Sequence, residues 1–307
     1  SSASLRDFSL QLSESILHAD SIVATYQRNR LKETLLFNGV ISNTAITPSE
    51  LRCFVPWLKN YQHAISLSST FFGTPNSINI PQLSLASNKG DLALSAQGYY
   101  HQVKGAHPEW NAIINQFHVS NETLDFIGKN ATTLPDAVMR LGDIQMTGTL
   151  SGDSDGTLTA DTDIRTDVGS LKSDVRWTEN RVFTGHLKTD GMALGQLLDN
   201  SRLGTLAADL EVSGKLNGNK LASLMASGNI PTLTFDGHDY QQISLDGQYA
   251  DNHLNGWLTI NDERIRTRLE ADVNATSLKD FTGTVNLSDL HLPEKDFNLS
   301  FLRIEYL

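Results

Sequence analysis

Apolar and polar residues alternate with a period of two along most of this sequence, and most regularly from Leu206 to Leu216. In that stretch the even-numbered residues are apolar or glycine, and most odd-numbered residues are Asp, Glu, Ser or Lys. Successive side chains of a β-strand point to opposite sides of the sheet, so such a strand has one apolar and one polar side. The pattern therefore predicts a half-buried β-strand.

Turn residues separate the alternating segments at short intervals. Asn217-Gly218-Asn219, Asp236-Gly237 and Asp251-Asn252 supply residues that adopt positive φ, which tight hairpins need. Strand segments recur about every 10–13 residues, a spacing typical of antiparallel all-β folds. Because the repeat is one of pattern and not of sequence motif, we predict an array of similar β units.

Short helices are predicted between some of the strands. Thr47-Pro48-Ser49-Glu50 predicts a capping box, opening a helix over Leu51–Trp57 that Pro56 shortens or bends. The other predicted helices have one to three turns and cover Pro108–Phe117, Thr123–Gly128, Pro135–Leu141 and Met192–Leu198. These helices are too few and too short to cover a long sheet.

The alternation is noisier in the first half of the chain than in the second. We therefore predict a β segment with short helical connectors over residues 1–140 and a regular antiparallel β array over residues 141–307, joined in one continuous elongated unit. The sequence starts at Ser1 in mid-pattern and stops abruptly at Leu307, so we expect a segment of a longer protein. It contains neither a signal peptide nor an apolar run of ~18 residues.

Composition argues against several classes of function. The formal charge is −11, from 24 Lys and Arg against 35 Asp and Glu, and no basic cluster occurs, so nucleic-acid binding is not expected. Cys53 is the single cysteine and is expected to be a small packed hydrophobic residue. Catalytic motifs, phosphate-binding loops and metal-ligand spacings are missing, so we expect no enzyme and no cofactor.

Several sequence strings resemble one known family. They are Leu51–Leu58, Met139–Ile144, Gly148–Gly152, Thr166–Gly169, Tyr240–Tyr249 and Asn261-Asp262. These strings are similar to those of the TamB or AsmA-like envelope proteins, in particular their Bacteroidetes forms, and the resemblance extends from Leu5 to about Leu290. The strings mark turns and strand starts and no active site.

The resemblance implies a long antiparallel sheet curled into a U-shaped trough, or β-taco. It implies a periplasmic protein that transfers phospholipid between the inner and outer membranes, with an N-terminal inner-membrane anchor and a C-terminal domain that contacts an outer-membrane Omp85-type barrel. This sequence has neither the anchor nor the docking domain, so a middle segment is expected. The alternative function for the family is a scaffold for translocation and assembly of outer-membrane proteins.

A lipid-transfer segment needs a continuous apolar lining on one side of the sheet. The residues of apolar parity that are expected to line this groove are Leu210, Val212, Leu216, Ile230, Phe235, Ile243, Leu245, Tyr249, Leu254, Leu258, Ile260, Ile265, Leu269, Val273, Phe281 and Val285. Alternation alone does not distinguish an open groove from a closed β-sandwich or adhesin. Trp257 and Tyr99 have polar-side parity, where an aromatic residue can mark a partner surface.

Overall fold

The computed structural model describes residues 1–29, 32–53, 56–61, 63–131, 134–218, 220–277 and 280–306. The chain forms two compact units, residues 1–167 and residues 168–307. The division therefore lies after Asp167, later than the predicted boundary after residue 140.

In the described part of the first unit, nine strands form a meander in which each strand is antiparallel to the next. They are β1 (Ser2–Gln11), β2 (Ile16–Asn29), β3 (Lys32–Ile46), β4 (Ile65–Thr74), β5 (Ser77–Ser87), β6 (Leu92–His101), β7 (Glu109–Val119), β8 (Ile144–Gly152) and β9 (Leu158–Thr166). Two 3₁₀ helices, Pro48–Cys53 and Pro56–Asn60, connect β3 to β4. Helices α1 (Asn121–Asn130) and α2 (Asp136–Met139) connect β7 to β8.

The second unit repeats this plan, again with nine strands among its described residues. They are β10 (Gly169–Trp177), β11 (Val182–Ala193), β12 (Leu203–Asn217), β13 (Lys220–Phe235), β14 (His238–Ala250), β15 (His253–Asn261), β16 (Arg266–Ser277), β17 (Asp280–Leu292) and β18 (Phe297–Tyr306). Helix α3 (Leu194–Leu198) joins β11 to β12, and the 3₁₀ helix Pro293–Lys295 joins β17 to β18.

The predicted fold class is confirmed, because the protein is mainly β, its strands are antiparallel and its helices are few and short. Two predicted turns have the expected backbone: Asp236 and Gly237 have φ of 49° and 80°, and Asp251 and Asn252 have φ of 51° and 63°. Positive φ at both central residues is the signature of a two-residue type I′ hairpin. The curl of the sheet into a U-shaped trough stays a prediction.

The predicted helices have mixed outcomes. Helices α1, α2 and α3 lie within or overlap the predicted segments Thr123–Gly128, Pro135–Leu141 and Met192–Leu198. The helix predicted over Pro108–Phe117 is wrong, because this segment belongs to β7. Trp110 and Ala112 lie on either side of the polar Asn111 and pair with Gly152 and Leu150 of β8. The strand pattern therefore outweighs the helix signal of the initial proline.

The predicted capping box at Thr47 is also wrong. The backbone N–H of Thr47 donates to Ser15 Oγ at 2.9 Å, and Glu50 Oε1 accepts the backbone N–H of Glu14 at 2.9 Å. The Thr47 N–H and the Glu50 carboxylate, which would bond to each other in a capping box, therefore bond instead to the turn before β2. The predicted helix Leu51–Trp57 is replaced by the two 3₁₀ segments, with residues 54 and 55 outside the described part, and Cys53 is exposed and not packed.

Neither unit has a large buried core among its described residues. The buried apolar residues are Ala19, Pro48, Tyr61, Ile114, Val119, Leu124, Val168, Ala208 and Ile243. The accessible surface of the chain is 19200 Å², whereas a single compact globular protein of 33.7 kDa would expose about 12,700 Å². Many large apolar side chains of the strands are also exposed, among them Leu158 at 46% and Leu254 at 42%.

A buried carboxylate fixes the loop between β15 and β16. Asp262, whose side chain is 2% exposed, accepts the backbone N–H groups of Arg264 at 2.9 Å and Gln241 at 3.1 Å and lies 2.9 Å from His238 Nε2. Burial raises the pKa of Asp262, but these hydrogen bonds, led by the one from Arg264, outweigh burial and hold the pKa below its ordinary value. The ionised carboxylate ties the start of β14 to this loop.

We expect Asp262→Asn to destabilise the second unit by about 1–2 kcal/mol at pH 7, because an amide replaces an ionised acceptor of three donors. A depressed folded-state pKa contributes stability that is present above the unfolded-state pKa of about 3.9 and is lost as the pH falls through the folded value. The difference in unfolding free energy between wild type and variant should therefore become smaller below about pH 4. Urea unfolding of both proteins at pH 7, 5, 4 and 3 measures this difference. A difference that does not change with pH would contradict this role of the charge.

Candidate functional site

The strand register of the second unit brings the predicted lining residues into rows that run across the strands. One row consists of directly paired residues from β11 to β18, and we call it the leucine row: Leu187, Leu210, Gly228, Leu245, Leu258, Leu269, Leu287 and Leu302. Directly opposed residues of antiparallel strands lie on the same side of the sheet. Seven of these eight neighbouring strands therefore place a leucine in the row, and Gly228 on β13 is the exception.

A row of small residues runs beside the leucine row, two residues away along each strand and so ~7 Å from it. Its central part, which we call the floor, is formed by the paired residues Ala226, Gly247, Gly256 and Ala271 on β13 to β16. Val212 on β12 and Val285 on β17 continue the row on either side of the floor. The floor is thus a low strip that is closed at both ends by larger aliphatic side chains.

A second row of large residues borders the floor on its other side. We call it the outer row, and its members on β13 to β16 are Leu224, Tyr249, Leu254 and Val273. Between the two rows the surface forms a depression of about 350 Å³, whose lining includes Leu245, Leu254, Leu258, Leu269, Gly247 and Gly256. Small side chains between two rows of large ones therefore create an apolar groove on this side of the sheet.

The two glycines of the floor differ in how much space surrounds them. A Cβ on Gly256 would lie 2.5 Å from the Gly247 Cα and 2.5 Å from the Asp246 carbonyl oxygen, so no side chain fits there. A Cβ on Gly247 would have its nearest neighbour, the Asn255 carbonyl oxygen, at 3.6 Å, which is ordinary van der Waals contact. Gly256 is therefore required by packing, whereas Gly247 leaves usable space open.

Most predicted lining residues lie on these rows or next to them. Leu210, Leu245, Leu258 and Leu269 belong to the leucine row, Val212 and Val285 to the small-residue row, and Tyr249, Leu254 and Val273 to the outer row. Ile230, Ile243 and Ile260 form a further cross-strand row beyond the leucine row. Among the predicted lining side chains that are described, Ile243 is buried, at 3% exposure, Leu254 is 42% exposed and the others are half-buried.

Four predicted lining residues have other surroundings. Leu216 lies at the end of β12, opposite Leu221, and Ile265 precedes β16, where its carbonyl accepts the Asp262 N–H at 3.0 Å. The ring of Phe235 has the Arg202 guanidinium over it, 4.6 Å from the ring centroid. The backbone of Phe281 belongs to β17 opposite Ala275, and its side chain lies outside the described part.

Sequence reasoning missed three members of the leucine row, Leu187, Leu287 and Leu302. Leu187 and Leu287 have the same parity as other apolar residues of their strands, so the alternating pattern could have identified them. Leu302 lies in β18, which falls inside the predicted β array over residues 141–307 but for which no individual strand was predicted. Another missed feature is the ring of Phe183, which stacks on Trp177 at 5.7 Å and covers its cross-strand partner Gly214.

The opposite side of the same strands carries the charges. Asp209 accepts hydrogen bonds from His186 and from Lys188 Nζ, the latter at 3.0 Å. Both bonds lower the pKa of Asp209, and the bond from His186 has the larger effect. The same contact raises the pKa of His186. Arg268 donates to Glu270 at 2.8 Å, and its guanidinium lies 4.8 Å from the Trp257 ring centroid. Polar-side charges thus pair with one another, and the leucine row has none.

The described residues contain no group of three or more His, Cys, Asp and Glu side chains that could hold a metal ion. In the same part of the chain no helix combines the length and apolar character that a membrane-crossing helix needs. Comparisons with protein-family models, with curated proteins and with solved structures found no match. The geometry of this chain is therefore the basis for the function proposed next.

Proposed function

We propose that the second unit shelters the acyl chains of phospholipids in the apolar groove between the leucine row and the outer row. The observation that carries this proposal is an apolar surface that is continuous over neighbouring strands and yet half-exposed. Soluble monomers rarely expose large contiguous apolar surfaces, and those that do often use them to bind a ligand, a partner or a membrane. An acyl chain would cover this surface without needing any polar contact.

The direction of the rows favours movement of a lipid tail along the sheet. The leucine row crosses eight strands that are ~4.8 Å apart, so it extends over ~34 Å. Along this length a tail would exchange one aliphatic neighbour for a similar one, and its free energy would change little from strand to strand. Transfer of this kind needs no catalytic group, so the proposed role is non-catalytic. The groove alone gives no direction to the movement.

This role agrees with the resemblance to the TamB or AsmA-like envelope proteins. We propose accordingly that the chain acts in the periplasm between the inner and outer membranes. The inner-membrane anchor and the Omp85-type barrel partner stay predictions from the resemblance.

Photocrosslinking from the two sides of one strand tests the proposal. Benzoylphenylalanine is placed at Leu245, on the leucine row, or at Asp246, whose side chain has opposite parity and is exposed. We expect phospholipid adducts at position 245 and few or none at position 246. Adducts to polypeptide at both positions would favour the alternative role as a scaffold for outer-membrane protein assembly, and equal lipid labelling at both positions would contradict the proposed groove.

A further inference from the structure

The polar side of the first unit carries an ordered row of side chains that lipid shelter does not use. Asn38 on β3 pairs with Phe72 on β4, Phe72 with Asn79 on β5, Asn79 with Tyr99 on β6, and Tyr99 with Asn111 on β7. Since directly paired residues lie on one side of a sheet, an amide and an aromatic ring alternate across five neighbouring strands. We call these five residues the amide–aromatic row.

The rings of this row are open to solvent. Phe72 is 49% exposed and Tyr99 is 48% exposed, and neither ring contacts another aromatic ring among the described residues. Their sequence neighbours Phe71 and Tyr100 have the opposite parity, and Phe71 instead covers Gly39. The exposed pair is thus a feature of the polar side and not an extension of the apolar one.

The amides of the row have free hydrogen-bonding capacity. The side chains of Asn38, Asn79 and Asn111 make no hydrogen bond within the described part of the chain. By contrast, many polar side chains of the second unit are paired, such as Asn229 with Ser244 at 2.8 Å. Each free amide offers two donors and one acceptor oxygen to a ligand that lies along the row.

The strands that carry the two rings of the row, and the strand between them, lack formal charge. Strands β4, β5 and β6 contain no Asp, Glu, Lys or Arg, although such residues make up 19% of the chain. Ser, Thr, Asn and Gln provide most of the polarity there. Glu109, two residues before Asn111 on β7 and of the same parity, places one carboxylate at the end of the row. The strands between Phe72 and Tyr99 carry no cation for a phosphate or carboxylate and no carboxylate for a basic peptide, so this part of the row favours an uncharged ligand.

The spacing of the rings indicates which uncharged ligand fits. Phe72 and Tyr99 are two strands apart, ~9.6 Å, which is close to the distance over which an extended chain of β-1,4-linked hexoses repeats. Sugar rings stack their C–H faces on aromatic rings, and their hydroxyls bond to amides. We propose that the amide–aromatic row is a binding platform for a neutral, extended β-1,4-linked glycan, with alternate sugars on Phe72 and Tyr99 and hydroxyls on the intervening Asn79.

Calorimetric titration of the full chain with cellohexaose tests this platform, with maltohexaose as the control probe. Both are neutral glucose hexamers, but the α-1,4 linkage of maltohexaose curls the chain, so its sugars cannot follow a straight row. We expect cellohexaose to bind at least tenfold more tightly. No binding of cellohexaose, or equal binding of both hexamers, would overturn the proposal.

Variants locate the binding on one side of the sheet. Phe72→Ala and Tyr99→Ala are each expected to weaken cellohexaose binding about tenfold or more, and both are surface changes that leave the strands paired. Tyr100→Ala, one residue along and on the other side, is the matched control and is expected to keep wild-type affinity. Equal loss in Tyr99→Ala and Tyr100→Ala would contradict the platform. So would concentration-dependent association of the chain that Tyr99→Ala abolishes, because the rings would then serve contacts between copies.

Discussion

Leu258→Asp is expected to remove bound phospholipid almost completely while the second unit stays folded. Leu258 lies in the middle of the leucine row, between Leu245 and Leu269, and is half-buried. A carboxylate there meets the acyl chain directly, and an ionised group in an apolar contact is strongly unfavourable. In the empty groove the same carboxylate reaches water, so we expect a loss of only about 2 kcal/mol in unfolding free energy.

The matched control for this change is Thr259→Asp, one residue along β15 on the polar side, where Ser244 and Arg268 are its neighbours. It introduces the same charge into the same strand and is expected to retain lipid. Lipid content by mass spectrometry and thermal unfolding by circular dichroism are measured on both variants. If Leu258→Asp fails to fold under conditions where Thr259→Asp folds, the apolar side is a closed core and not an open groove.

Gly247→Leu is expected to reduce bound lipid at least tenfold and to stabilise the second unit. A Cβ at this position makes no clash, because its nearest neighbour, the Asn255 carbonyl oxygen, would lie 3.6 Å away. A leucine at this position would occupy the floor between Leu245 and Tyr249, where the depression of about 350 Å³ lies. Replacing a glycine inside a strand also removes unfolded-state entropy and adds apolar contact, a gain of about 0.5–1 kcal/mol.

The two variants together separate groove shape from apolar character. Gly247→Leu makes the surface more apolar and yet should bind less lipid. If lipid simply adhered to any exposed apolar surface, the amount of bound lipid would instead rise in this variant. Gly247→Ala is the control of intermediate size and should lose part of the lipid. Lipid content that stays the same or rises in Gly247→Leu would contradict a groove formed by the small-residue floor.

The alternating pattern was sufficient to predict strands and their turns. Side-chain parity is a local property, so the sequence around Leu210 or Leu245 already indicates which side is apolar. The turns at Asp236-Gly237 and Asp251-Asn252 are equally local, because their residue types tolerate positive φ. The strands of the second unit from β12 to β17, and most of the apolar lining, follow from these two signals.

Features that depend on pairing between strands could not be predicted in this way. The floor exists because Ala226, Gly247, Gly256 and Ala271 are directly opposed, and a shift of one register position would separate them. The amide–aromatic row depends likewise on the pairing of Phe72 with Asn79, next to an irregularity between β4 and β5. Sequence parity assigned Tyr99 to the polar side but gave no indication that Phe72 lies in the same row.

The helix errors have a related cause. The residues Thr47 and Glu50 satisfy the capping-box pattern, but Ser15 and the backbone N–H of Glu14 compete for their hydrogen bonds from more than 30 positions away in sequence. Local capping signals count only when no distant group offers a better partner. In the same way, β8 supplies cross-strand partners for the segment after Pro108 and draws it into a strand.

Mass spectrometry of an organic extract from the purified chain tests the open apolar groove most directly. The chain is prepared without detergent, and phospholipid is quantified per chain in the wild type and in Gly247→Leu in parallel. We expect phospholipid in a near-constant ratio to protein in the wild type and at least a tenfold lower ratio in the variant. An extract without phospholipid from the wild type, or the same ratio in both proteins, would contradict the proposed function.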